Sequence, residues 1–245
     1  MLALTEPALQ TFAMLLLAHA VADFSLQPDW MVARKKEPAI FLLHILIVFV
    51  LSVIALGGAL ELALFVAGSH LVIDAVKNWA LSAKLSATAA AFITDQCAHM
   101  LVIVAVSLWM PQVVGSGIWQ PWLPQIAAVA AVLSGFILTV YAGGYFVGMI
   151  TNPFAAHVDT EGLLNAGRMI GQLERALIFF FIMADQPTGV GFLIAAKSLL
   201  RFESARKQNA SEYVIIGTLT SVGWALVMSV ATLALLNYAP APVTP

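Results

Sequence analysis

Most of this chain consists of apolar segments about 20 residues long, which is the length of a helix that crosses a bilayer. Eight such segments run near residues 8–27, 38–56, 59–79, 88–110, 125–150, 166–185, 188–205 and 213–237. Only 10% of the residues are charged, against about 25% in a soluble domain. The sequence therefore predicts an all-α, polytopic integral membrane helix bundle with about eight transmembrane helices.

The basic residues predict the orientation of these helices. All 11 Lys and Arg fall in alternate connections between the predicted spans, or in the helix halves that lead to them. The positive-inside rule places those connections in the cytoplasm and both termini outside. The net charge of −2 gives no electrostatic basis for binding nucleic acid.

Histidines and aspartates recur at one depth in the first four predicted spans. They are the pairs His19–Asp23, His70–Asp74 and Asp95–His99, and the single His44. Residues at i and i+4 share a helix face, so each pair can point towards one partner. In all three pairs the aspartate lies nearer the predicted cytoplasmic end, and the histidine lies one turn deeper. This agreement in depth and order indicates one shared polar layer.

The first and third spans also carry similar motifs. One reads His-x3-Asp-x3-Gln and ends at Gln27, and the other reads His-x3-Asp-x3-Asn and ends at Asn78. Each is followed by a span with another histidine, which indicates a tandem repeat of two helical hairpins. We therefore predict that residues 1–110 form a four-helix half with the His/Asp set. Residues 111–245 form a second four-helix half, with basic residues on its cytoplasmic side.

A divalent metal would explain why a membrane protein keeps these groups. An aspartate at the centre of a membrane helix costs about 2.5–3.5 kcal/mol. Histidine with carboxylate suits zinc, iron or manganese better than calcium or magnesium. We expect one or two ions, zinc foremost, and the predicted ligands are His19, Asp23, His44, His70, Asp74, Asp95 and His99. Hydrogen bonding between helices without a metal, and a proton or ion relay, are the alternatives.

The second half contributes charged side chains rather than metal ligands. Its basic residues are predicted to hold an anionic group such as phosphate. The predicted anion-binding residues, with two amides from the first half, are Arg175, Lys197, Arg201, Gln27 and Asn78. The competing interpretation is internal salt bridges, such as Glu174 with Lys197 or Arg175 with Glu212.

These residues favour a membrane-embedded, metal-dependent hydrolase that acts on a membrane lipid or another phosphate-bearing substrate. Among Asp23, Asp74 and Asp95, one would serve as general base and the others as ligands. A metal-ion or proton-coupled transporter is the second hypothesis. It is disfavoured because the outer halves of the first four spans are almost wholly apolar, whereas a conduction path needs polar lining. A non-catalytic membrane component with a structural polar or metal core is the third. The oligomeric state does not follow from the sequence.

The motifs resemble a bacterial and phage membrane family known as domain of unknown function 3307. The stretches that carry the resemblance are His19-Ala-Val-Ala-Asp23-Phe-Ser-Leu-Gln27, the lone His44, His70-x2-Ile73-Asp74-x2-Lys77 and Asp95-Gln96-x2-His99. The resemblance covers residues 12–110 well, and the second half looks like that of the longer members. It implies a multi-pass protein of the bacterial inner membrane. It implies no activity.

Overall fold

The computed structural model describes residues 5–155, 166–200 and 208–238. Within these ranges the chain is helical and contains no strand. The α-helices are α1 Glu6–Ala20, α2 Asp29–Ala33, α3 Pro38–Ala55, α4 Leu60–Ala75, α5 Ala83–Ser86, α6 Ala89–Trp109, α7 Leu123–Ile137, α8 Gly143–Ala155, α9 Ala166–Met183, α10 Thr188–Leu200 and α11 Gln208–Tyr238. The predicted all-α class is confirmed.

Among the residues that the structure describes, five helical segments are long and apolar enough to cross a membrane. They are Glu6–Ser25, Pro38–Ala55, Ala89–Trp109, Gln120–Ala155 and Ser211–Tyr238. The other three predicted spans coincide with the helices α4, α9 and α10. The membrane-protein class is therefore supported, whereas the count of eight spans and the orientation stay predictions.

Helix α3 shows how the apolar surface is divided. One stripe of the helix is buried, and it consists of Phe41, His44, Val48, Ser52 and Ala55. The opposite stripe is exposed, and it consists of Leu42, Leu46, Val50 and Ile54. A continuous exposed stripe of large aliphatic side chains marks a surface that contacts lipid or another protein. His44 therefore faces the interior of the bundle, and the exposed face of α3 is apolar.

The chain divides into two compact units, one of Met1–Ile137 with Ala234–Pro245 and the other of Leu138–Leu233. In the first unit, α1 and α4 each pack against both α3 and α6, so these four helices enclose a common interior. Helix α1 also packs against α7. Small residues such as Ala13, Ala18 and Ala20 are buried on α1, and small side chains let membrane helices approach closely. The predicted division near residue 110 stays a prediction.

The two helices with the His-x3-Asp motif end in the same way. Helix α1 continues into a π turn at Val21–Ser25, and α4 continues into one at Val76–Ala80. A short helix and then a long helix with one more histidine follow in each case. Single π turns within α-helices often occur at functional sites. Both motifs therefore run through an irregular helix end, with Asp23 in the first π turn and Asn78 in the second.

A close backbone contact holds the connection after α6. Gly57 has a positive φ of 67°, and its carbonyl oxygen accepts a hydrogen bond from the Ile118 N–H at 3.3 Å. A Cβ placed on Gly117 would lie 2.7 Å from that same oxygen. The Trp119 indole donates to the Ile54 carbonyl at 2.6 Å. Because both contact positions are glycines, the backbone of this segment can pack closely against Gly57 in the first unit.

Candidate metal centre

The four enclosing helices bring the predicted ligands into one buried cluster. His19 and Asp23 come from α1 and its π turn, His44 comes from α3, His70 and Asp74 come from α4, and Asp95 and His99 come from α6. Every one of these side chains is less than one tenth exposed. The cluster is therefore shielded from solvent, as a polar layer within a helix bundle must be.

The tightest group joins two histidines with two aspartates. The Nε2 atoms of His44 and His70 lie 3.1 Å apart. Asp23 Oδ1 lies 3.5 Å from each of these nitrogens. Asp74 Oδ2 lies 3.6 Å from His44 Nε2 and 3.5 Å from His70 Nε2. Asp23, His44 and His70 thus each offer a ligand atom within 4.8 Å of the others, and Asp74 Oδ2 adds a fourth atom near both nitrogens.

The four His–Asp separations match the spacing of ligands around a metal ion, whereas the 3.1 Å between the two imidazole nitrogens is the length of a direct hydrogen bond. Zinc binds histidine nitrogen and carboxylate oxygen at about 2.0–2.2 Å, which puts tetrahedral ligand atoms about 3.3–3.6 Å apart. Direct N–H···O hydrogen bonds are shorter, about 2.7–3.2 Å. The His–Asp distances in this group, 3.5–3.6 Å, are therefore too long for good hydrogen bonds. They have the length expected if a cation stands between the two groups.

A second group forms around His99. Its Nε2 atom lies 3.5 Å from Asp74 Oδ1 and 3.8 Å from Asp95 Oδ1. Each of these three residues offers a ligand atom within 4.8 Å of the others. Its imidazole stacks on that of His70, with ring centroids 4.0 Å apart. Asp74 thus presents one oxygen to each group.

His19 joins the cluster from its other side. Its Nε2 atom lies 3.1 Å from Gln96 Oε1, and because an amide oxygen only accepts, the imidazole donates there. The amide nitrogen of Gln96 in turn donates to Asp95 Oδ2 at 3.2 Å. His19 Nδ1 is 4.0 Å from Asp23 Oδ2. Gln96 therefore links the first helix to Asp95, a contact that the sequence prediction missed although the residue lies beside Asp95.

Two lysines also reach the cluster, and the sequence prediction did not place them there. Lys35 Nζ lies 2.7 Å from Asp74 Oδ2, and Lys77 Nζ lies 2.8 Å from Asp95 Oδ2. Lys77 is one turn after Asp74 on the same helical segment, so its spacing carried a signal. Lys35 lies between α2 and α3, where helical periodicity carries none. The lysines leave the three carboxylates with one net negative charge.

The position of Lys35 is reflected in its pKa. Burial by itself would lower the pKa of this ammonium group, but the negative charges of Asp74 and Asp23 outweigh that effect and raise it. Its side chain is only 13% exposed. Lys35 is therefore held in its charged form at the edge of the carboxylate cluster.

Buried atoms without partners show that the residues fit a cation. Asp23 Oδ1, Asp95 Oδ1 and His99 Nε2 have no hydrogen-bond partner within the described parts of the chain. Leaving a buried polar group unpaired costs about 1–3 kcal/mol. All three atoms face other potential ligand atoms at 3.5–3.8 Å. A divalent ion in either group would satisfy the unpaired atoms that face it, so the His/Asp groups could hold a metal ion.

The two amide side chains predicted to contact substrate also have N–H groups that are not used in hydrogen bonds. Gln27 Nε2 and Asn78 Nδ2 are buried, and neither donates to a partner among the residues that the structure describes. Each amide follows its motif aspartate by four residues. Their role in substrate binding stays a prediction.

A small cavity adjoins the histidines. It is lined by His19, His70 and His99 on one side, and on the other by Ser52 and aliphatic side chains including Leu15 and Ile103. Its volume of about 20 Å³ exceeds the roughly 10–15 Å³ that one water molecule needs. The cluster therefore has room for a water molecule beside its imidazoles.

Two of the basic residues predicted to bind an anion, Arg175 and Lys197, have internal partners in the second unit. Arg175 is buried, and it donates to the Val140 carbonyl at 3.1 and 2.8 Å and to Ser221 Oγ at 3.2 Å. Val140 lies in a third π turn, Leu138–Ala142. Lys197 Nζ lies 2.6 Å from Glu174 Oε2, which is one of the two salt bridges of the competing interpretation. Arg201 lies outside the described residues, and anion binding by these side chains stays a prediction.

Comparison with known proteins confirms the family resemblance. Residues 11–125 match the family model described as "Protein of unknown function (DUF3307)". The matched segment includes all seven predicted metal ligands and both lysines of the cluster. No curated protein and no solved structure matches the chain.

Proposed function

We propose that the DUF3307 segment, residues 11–125, binds a divalent transition metal inside the bacterial inner membrane and supports metal-dependent hydrolysis of a lipid or phosphate-bearing substrate. The observation that carries the proposal is the group formed by His44, His70, Asp23 and Asp74. Its His–Asp separations of 3.5–3.6 Å are those of ligand atoms rather than of hydrogen bonds. Zinc suits this donor set, and iron or manganese are the alternatives.

The residues of the cluster can perform the steps of a hydrolysis. A bound divalent ion supplies a Lewis acid and lowers the pKa of a coordinated water. The aspartates Asp23, Asp74 and Asp95 act as ligands, and a carboxylate oxygen left free of the ion takes the proton from water. The cavity beside His19, His70 and His99 admits the water. A catalytic metal site keeps one coordination position open for water, whereas a structural metal site is closed.

The charges around the cluster favour an anionic substrate. The carboxylates and lysines together carry one negative charge, which a divalent ion turns into one positive charge. Lys35 and Lys77 are 13% and 24% exposed, so both ammonium groups lie at the edge of the site. The unpaired amide nitrogens of Gln27 and Asn78 add two donors. We propose that these four side chains bind the phosphate or another anionic group.

Aromatic residues support a position at the membrane interface. Trp30 is 50% exposed and Trp79 is 51% exposed. Trp79 follows Lys77 by two residues and contacts the Phe41 ring edge-on at 4.8 Å. Tryptophan is enriched where a bilayer meets water. We therefore propose that the lysine edge of the site lies at the level of lipid headgroups.

A non-catalytic polar core is the second candidate, because the two lysine–aspartate pairs favour it. Their separations of 2.7 and 2.8 Å are those of direct charge-assisted hydrogen bonds. Such pairs neutralise two of the three carboxylates without any metal. This candidate predicts a folded protein that binds no metal.

Metal content and activity separate the two candidates. The wild-type chain and His44→Ala are purified in detergent, and bound metals are measured by elemental analysis. Leu46→Ala, an exposed position on the same helix, is the matched control. We expect at least one transition-metal ion per wild-type chain, a loss of about one ion per chain in His44→Ala, and no change in Leu46→Ala. A folded wild-type chain without metal, even after dialysis against zinc, iron or manganese, would overturn the proposal.

Hydrolysis is tested in two arms that separate the sources of phosphate. One arm uses para-nitrophenyl phosphate in solution, and the other uses vesicles containing phosphatidic acid. We expect phosphate release that stops when a chelator removes the metal. Metal binding without release in either arm would overturn the hydrolase part of the proposal.

A further inference from the structure

We infer that the cluster is a two-metal centre in which the Asp74 carboxylate bridges the ions, and that it takes a phosphate monoester. This inference rests on the proposed function and adds to it the number of ions and the class of substrate. It arises from one side chain whose two oxygens face different sets of potential ligands.

Asp74 is placed as a bridging carboxylate must be. Its side chain is 1% exposed, and its Oδ2 atom faces the nitrogens of His44 and His70 at 3.6 and 3.5 Å. Its Oδ1 atom faces His99 Nε2 at 3.5 Å. The two oxygens therefore serve different histidines, at distances that suit shared metals better than hydrogen bonds.

The second set has its own unpaired atoms. Asp95 Oδ1 lies 3.8 Å from His99 Nε2, and neither atom has a hydrogen-bond partner within the described ranges of the chain. With Asp74 they offer three ligand atoms within 4.8 Å of one another. An ion held by the first set would leave these two buried atoms unsatisfied. An ion at the second set would pair both.

The charge of such a centre points to the substrate. Two divalent ions with the two lysines exceed the charge of the three carboxylates by three positive charges. One hydroxide and one phosphate dianion would balance this excess. A phosphate monoester supplies that dianion, and Lys35 and Lys77, which pair with Asp74 and Asp95 at the edge of the cluster, would donate to its oxygens. Phosphate diesters, with a single negative charge, would leave the centre positive.

The hydrolysis follows the chemistry of in-line displacement. The oxygen of a water molecule forms a bond to phosphorus while the bond from phosphorus to the ester oxygen breaks. The leaving alkoxide takes up a proton equivalent to the one that the water lost, so an alcohol and inorganic phosphate result. Paired metal ions stabilise both the attacking and the leaving oxygen in such reactions.

Metal counting tests the bridge without any measurement of activity. The metal-free chain is titrated with Mn²⁺, bound ions are counted by elemental analysis, and magnetic coupling between them is followed by electron paramagnetic resonance. We expect two ions per wild-type chain with a coupled signal. His44→Ala and His99→Ala should each retain about one ion and lose the coupling, whereas Asp74→Asn should lose both ions. Leu101→Ala, an exposed position on α6, should behave as wild type.

Other outcomes separate the failure of this inference from that of the proposed function. One ion per wild-type chain, removed by His44→Ala and kept by His99→Ala, would overturn the bridge and leave the single-metal proposal standing. No bound ion would overturn both. If His99→Ala does not fold, the conservative variants His99→Gln and Asp95→Asn are counted in its place. Equal hydrolysis of phosphate monoesters and diesters would overturn the substrate assignment.

Discussion

The ammonium group of Lys35 lies 2.7 Å from Asp74 Oδ2, at the same oxygen that faces His44 and His70. The lysine belongs to the connection between α2 and α3, and the aspartate belongs to α4. This pair therefore supplies a positive charge at the place where the proposed metal would also act. Lysine and metal share the task of compensating one buried carboxylate.

Replacing Lys35 should make folding depend more strongly on metal. Lys35→Gln leaves Asp74 without its cation, and loss of one partner from a buried pair costs about 3–5 kcal/mol. Bound metal should restore much of this loss, since it compensates the same oxygen. The melting temperature is measured with and without zinc in the same detergent. Lys36→Gln changes the exposed neighbouring lysine and should have little effect. Equal melting temperatures for the two variants without metal would contradict the prediction.

Gln96 should tune metal affinity without supplying a ligand. Gln96→Leu removes the hydrogen bonds to His19 and Asp95, and loss of such orienting contacts typically weakens metal binding about 10–100-fold. Competition with a chelator of known affinity measures the change. Cys97→Ala alters an exposed position one residue along α6 and serves as the control. If Gln96→Leu binds metal with wild-type affinity, the prediction is wrong.

Gly117 should be the most sensitive glycine of the first unit. In Gly117→Ala the added Cβ would lie 2.7 Å from the Gly57 oxygen and 2.9 Å from its Cα, so the backbone must shift. Overpacking of this kind costs about 1–3 kcal/mol. Gly68→Ala, which places its Cβ in open space on α4, should be neutral or slightly stabilising. Thermal unfolding measures the stability of both variants. A Gly117→Ala variant more stable than Gly68→Ala would contradict the prediction.

Arg175 should act on the stability of the second unit. Lysine cannot reproduce a guanidinium that donates to both Val140 and Ser221, so Arg175→Lys should lose about 1–3 kcal/mol. Metal content should stay unchanged, because the predicted ligands all belong to the first unit. Melting temperature and elemental analysis measure the two effects. An unchanged melting temperature with a raised KM for a phosphate ester would instead support the predicted role in anion binding.

The helical class and the members of the polar layer could be predicted from the sequence. Apolar length predicted the helices, and the i, i+4 spacing correctly placed His70 with Asp74 on one face. The role of Asp74 between two ligand sets was not predictable, because it depends on how three other helices approach it. The contact of Lys35 with the cluster was not predicted for a similar reason. The connection between α2 and α3 has no helical periodicity from which the direction of a side chain could be derived. The hydrogen-bond partners of Arg175 depend on the π turn Leu138–Ala142, which no pattern in the sequence predicted.

The π turns at Val21–Ser25 and Val76–Ala80 make the cluster vulnerable to changes in length. Removing a single residue there would turn everything beyond the deletion by about 100° around the helix axis. Asp23 lies within the first of these turns, Asn78 lies within the second, and Gln27 lies just beyond the first. A shortened chain could therefore keep its span across the bilayer while its polar groups swing away from one another.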